Sequence, residues 1–72
     1  PFDAAVEKAK ADKLVAESQA TYAKADADRA RDLRKTSGTQ ALSQQEYDKH
    51  MASEASANAN VKAAAATLNN AG

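Results

Sequence analysis

Along the first half of the chain, apolar residues return in alternating steps of four and three. Phe2, Val6, Ala9, Lys13, Ala16, Ala20, Ala23, Ala27 and Ala30 follow that rhythm, and eight of these nine are apolar. A four-three repeat averages 3.5 residues, so its members line one seam of a helix that pairs with another helix. Six of the eight are Ala, and side chains that small predict a close approach of the two helices. A second, weaker stripe of Val15, Tyr22 and Leu33 runs beside the seam. It suits either scattered surface residues or a contact with a neighbouring subunit. In the second half, Tyr47, Met51, Val61, Ala65 and Leu68 keep the same rhythm, with Glu54 and Asn58 as polar interruptions. A parallel stripe of Ala52, Ala55, Ala59, Ala63 and Ala66 accompanies them.

The local signals place the elements. Pro1-Phe2-Asp3 opens the first helix: Pro is tolerated at a helix start, and Asp3 and Glu7 put negative charge at the positive end of the dipole. No Gly or Pro then interrupts the chain to about Arg34, a run of roughly 32 residues or ~48 Å. A helix of that length points to a coiled coil. Gly38 is the single internal Gly. Ser43 and Glu46 have the spacing of a capping box, and Leu42 and Tyr47 stand where a hydrophobic staple would. A helix is therefore expected to begin at Ser43, after a tip loop over about 35–42. Helices joined by so short a turn fold back antiparallel. The return helix should end near Asn69, with Asn69-Asn70-Ala71-Gly72 as a frayed end. The expected fold is all-α: a two-helix antiparallel coiled-coil hairpin, helix about 3–34, tip loop about 35–42, helix about 43–69. Both termini then lie at one end, the arrangement of an insertion, so the chain is expected to be part of a larger protein. The tip is where function is expected.

Composition sharpens this. Of 31 apolar residues 20 are Ala, leaving 11 larger ones, too few to fill a globular core. Ala has the highest helix propensity, so a long thin element fits better. Ten Lys and Arg balance ten Asp and Glu. That disfavours nucleic acid, whose partners are normally basic on one face. No apolar run approaches the ~18–20 residues of a membrane span. Cysteine is absent, so neither disulfides nor thiolate metal sites are available.

No catalytic constellation is legible, and no enzyme, cofactor or metal is expected. His50 has Glu46 and Glu54 one turn to either side. A helical metal pair is geometrically possible there, but a solvated face is the favoured reading. Thr36-Ser37-Gly38-Thr39 lacks the spacing and the Lys of a phosphate loop. Lys24 to Arg29 spaces charges for pairs one turn apart.

Three phrases carry a resemblance: the opening Pro-Phe-Asp-Ala-Ala, the tip phrase Ala41-Leu42-Ser43-Gln44-Gln45-Glu46-Tyr47-Asp48, and Ala-Asn-Ala-Asn-Val-Lys-Ala-Ala at 57–64. Together they resemble the α-helical hairpin of periplasmic adaptor proteins, also called membrane fusion proteins. These belong to tripartite efflux pumps of Gram-negative bacteria, and the nearest kind is AcrA/MexA-like, serving resistance-nodulation-division (RND) transporters. The resemblance implies a non-enzymatic connector in multidrug efflux whose tip docks to a TolC-type outer-membrane channel. It implies copies packed side by side, and an inner-membrane transporter contacted by parts outside this chain. It also implies a periplasmic location and a parent anchored to the inner membrane. The docking signature of that family is an Arg, a Leu four residues on, and a Ser at the start of the return helix. Arg29, Leu33 and Ser43 match it. The gap from Leu33 to Ser43 is longer than in the family's pattern, which makes Arg31 a rival for the Arg role. The competing readings are a hairpin of an ABC-type or type I secretion adaptor, and an unrelated structural coiled-coil arm.

Overall fold

The computed structural model describes residues 3–71. Helix α1 spans Ala4–Ser37, a 3-10 turn spans Gly38–Gln40, and helix α2 spans Gln44–Ala71. No strand occurs among the described residues. The helices are antiparallel, because partners farther along α1 are met by residues nearer the start of α2. Arg31 reaches Glu54, whereas Arg34 reaches Gln44. The all-α hairpin expected from the seam is therefore the fold.

Asp3 begins α1 from outside the helix. Its backbone is extended, and its side chain accepts from the Ala5 and Val6 N–H groups at 3.0 and 3.4 Å. That is an N-cap, satisfying donors that have no carbonyl one turn back. The expected roles of Pro1, Phe2 and Gly72 fall outside the described residues. At its far end α1 runs to Ser37, past the expected stop at Arg34. Arg34 and Lys35 suit the negative end of the dipole. The helix stops where glycine allows it: Gly38 has φ 60° and ψ −148°, and its N–H still bonds the Arg34 carbonyl. The tip outside the two α-helices is thus Gly38–Ser43, shorter than the expected 35–42 loop at its first end. At the other terminus α2 continues through Asn69 and Asn70 to Ala71 instead of fraying at 69.

The seam of α1 lies against α2. Ala9, Ala16, Ala27 and Ala30 are buried, and Val6, Lys13, Ala20 and Ala23 are half-buried. Lys13 sits in that row because a long aliphatic stem can lie on apolar surface while its ammonium stays wet. The rhythm of α2 needs a correction. Tyr47, Glu54, Val61 and Leu68 are half-buried as expected, but Asn58 is exposed and Ala57 is buried. A four-three repeat leaves two choices between heptad positions. Burying an amide without a partner is costly, so the turn that presents Ala57 prevails. The stripe of Ala52, Ala55, Ala59, Ala63 and Ala66 faces solvent. So does most of the second stripe on α1, with Val15 57%, Tyr22 76% and Leu33 38% exposed.

The molecule measures 58 × 13 × 12 Å, with a radius of gyration of 16.3 Å. A compact chain of this length would have about 11 Å. It exposes 5195 Å², against about 4,200 Å² for a compact chain of its mass. The hairpin is a rod whose interior is one row of small side chains thick.

Candidate functional site

Ser43 is the N-cap of α2. Its hydroxyl accepts from the Glu46 N–H at 3.1 Å, and its carbonyl accepts from the Tyr47 N–H at 2.9 Å. Among the described residues the reciprocal bond of a capping box, from the Ser43 N–H to the Glu46 carboxylate, is not formed. Leu42, just before the cap, is 7% exposed and Tyr47 is half-buried.

Two arginines bind the helices together beside this cap. Arg34 lies over the Tyr47 ring, 4.8 Å from its centroid, a cation–π contact. Its Nη2 donates to Gln44 Oε1 at 2.9 Å, and Gln44 Nε2 donates in turn to Asp48 Oδ1 at 2.8 Å. Arg31 donates from Nη2 to Glu54 Oε1 across the interface at 2.6 Å, and from Nη1 to Asp28 Oδ1 at 2.9 Å. The Glu54 side chain is only 18% exposed. The hydrogen bond to Glu54 holds the Arg31 guanidinium above its ordinary pKa.

Arg29 differs from both. Its side chain is 72% exposed, and it pairs with Asp26, one turn back on the same helix. Leu33, one turn on, is part-exposed on the same side. That side continues the second stripe: Val15, Gln19, Tyr22, Asp26, Arg29 and Leu33 are four and three apart. It borders an open groove of about 720 Å³, in which Gln19, Tyr22 and Asp26 of α1 face Glu46, His50 and Ser53 of α2.

The structure therefore brings Arg29 and Leu33 onto one face. Ser43 stands across the tip as a cap, and its hydroxyl bonds Glu46 rather than either of them. Arg31, the rival for the Arg role, is drawn into the hairpin by Glu54. His50 lines the groove with Glu46, while Glu54 turns to Arg31, so the three do not converge. Among the described residues no group of three or more His, Cys, Asp or Glu could hold a metal ion. No described helix is long and apolar enough to cross a membrane. The sequence reading missed the Arg34–Tyr47–Gln44 cluster and the Arg31–Glu54 pair. Counting outward from the tip pairs Arg34 with Tyr47, four residues before Gly38 and four after Ser43, but not Arg31 with Glu54, seven before and eleven after.

The family model described as the RND MFP, alpha-helical hairpin domain, matches residues 4–72. No curated protein and no solved structure matches the chain. A match over nearly the whole length shows that the chain belongs to the α-helical hairpin domain family of RND membrane fusion proteins. That family consists of non-enzymatic periplasmic adaptors of tripartite RND-type pumps in Gram-negative bacteria, with partners in the inner and outer membranes.

Proposed function

We propose that the tip of this hairpin docks the adaptor onto a TolC-type outer-membrane channel, through Arg29 and Leu33, in a multidrug efflux pump. The observation that carries this reading is the contrast among the tip arginines. Arg31 and Arg34 are engaged across the hairpin, whereas Arg29 is exposed and pairs, among the described residues, only with Asp26. A guanidinium offers a planar fork of donors suited to carbonyls or carboxylates on a partner. Leu33 beside it adds an apolar contact. Ser43 acts indirectly, holding the start of α2 and hence the shape of the tip. Other parts of the adaptor would contact the inner-membrane transporter and hold the parent at the inner membrane, and copies of the hairpin would stand side by side.

The experiment is drug susceptibility of cells carrying variants of the complete adaptor, with expression checked. Arg29→Asp loses the pair with Asp26 and sets two carboxylates one turn apart, which costs under about 1 kcal/mol at so exposed a position. The hairpin should stay folded, yet efflux should be abolished, since a reversed charge now repels the partner's acceptors. Leu33→Ser should weaken efflux in the same way. Arg31→Ala should instead lower the melting temperature more than Arg29→Ala does, because it leaves Glu54 without its partner. Full resistance with both Arg29→Asp and Leu33→Ser would remove the docking role from this face.

A further inference from the structure

On the side of the tip opposite Arg29 and Leu33 lies a smaller pocket of about 380 Å³, lined by Arg31, Arg34, Lys35, Gln44 and Tyr47. Three of its five residues are cations. The charge of Arg31 is answered by Asp28 and Glu54. Arg34 and Lys35 make no ion pair among the described residues. Arg34 donates from Nη2 to the neutral carbonyl of Gln44, and its Nη1 is buried with no acceptor among the described residues. A charged donor withdrawn from water and left unpaired raises the energy of the free hairpin. Exposed Lys35, next in the chain, adds a second unanswered charge.

We propose that this pocket receives an Asp or Glu side chain of the outer-membrane channel, so that the tip is gripped from both sides. A carboxylate has two acceptor oxygens. It can replace the neutral Gln44 carbonyl on the Arg34 guanidinium with a charge-assisted bond, which is shorter and stronger. Gln44 keeps its bond to Asp48 meanwhile, and the Tyr47 ring holds the guanidinium plane in place. The channel is the occupant, and not a neighbouring hairpin, because of where the pocket sits. It is built from the last two turns of α1 and the first turn of α2, level with Leu33. A partner that meets the hairpin end-on reaches both sides of the tip at once.

This inference rests on the docking reading above and adds a second contact to it. A photocrosslinking residue is placed in the complete adaptor in cells, at position 33 or at position 35. Capture of the channel from both positions is expected. In the otherwise unchanged adaptor, Lys35→Glu should lower the amount of channel that co-purifies by about tenfold, and Lys35→Arg should retain it. Channel captured from position 33, with only another adaptor copy or nothing from position 35, would overturn the pocket and leave the docking face standing. No channel from either position would overturn both. Undiminished co-purification with Lys35→Glu would also overturn the pocket.

Discussion

At Gly38 the backbone takes φ 60° and ψ −148°, and a methyl group built there would meet nothing within 4 Å. Space is available, so Gly38→Ala tests conformation alone. It should destabilise the hairpin by about 1–3 kcal/mol, the cost of holding an L-residue in a glycine region. The cap at Ser43 is separable from this. Ser43→Ala should cost about 1 kcal/mol through the lost acceptor. Glu46→Gln should cost about 0.3–0.5 kcal/mol, through the helix dipole only, since its carboxylate makes no return bond among the described residues. Thermal melts of the variants check all three, and equal losses for Ser43→Ala and Glu46→Gln would indicate a reciprocal box. The cap was legible in the sequence because donor and acceptor are three residues apart. The Arg31–Glu54 pair, 23 residues apart, was not, because only the geometry of the turn sets which side chains face each other.

Each helix obeys the seam to a different degree. In α1 every described member of the expected row is buried or half-buried, and Ala27 is 0% exposed. Ala27→Leu forces three extra carbons into a close-packed row and should destabilise by about 1–3 kcal/mol. In α2 the same rhythm misplaced Asn58. That residue is exposed, so Asn58→Ala should stabilise by about 0.5 kcal/mol through helix propensity. Urea unfolding of the two variants distinguishes the registers: no loss with Ala27→Leu would move the seam of α1, and destabilisation by Asn58→Ala would place residue 58 against α1. The error has a simple source. With so many Ala residues, hydrophobic contrast between neighbouring stripes nearly vanishes, and the exposed row from Ala52 to Ala66 looks as apolar as the buried one.

As a whole, the hairpin joins a long contact to very little buried volume. Six residues are buried among those described, five of them Ala, and Leu42 is the single large one. Removing so little apolar surface per residue barely offsets the ordering of two long helices. The 72-residue hairpin by itself should therefore be helical in the cold and melt broadly at low temperature. Far-UV circular dichroism checks this; a sharp transition within the ~45–65 °C range of compact domains would show that the narrow seam suffices. Such a rod leaves most of its surface for partners, which suits a connector. The sequence by itself determined that there are two long helices, that they pair along an Ala seam, and that the return helix is capped at Ser43. Helix propensity, heptad period and capping are set by residues within a turn or two of each other, so one chain states them in full. Only the tertiary structure decided where α1 ends, which stripe of α2 turns inward, and which arginine stays exposed at the tip. These depend on how the turn at Gly38 rotates one helix against the other, and a rotation of one residue exchanges the buried row for its neighbour.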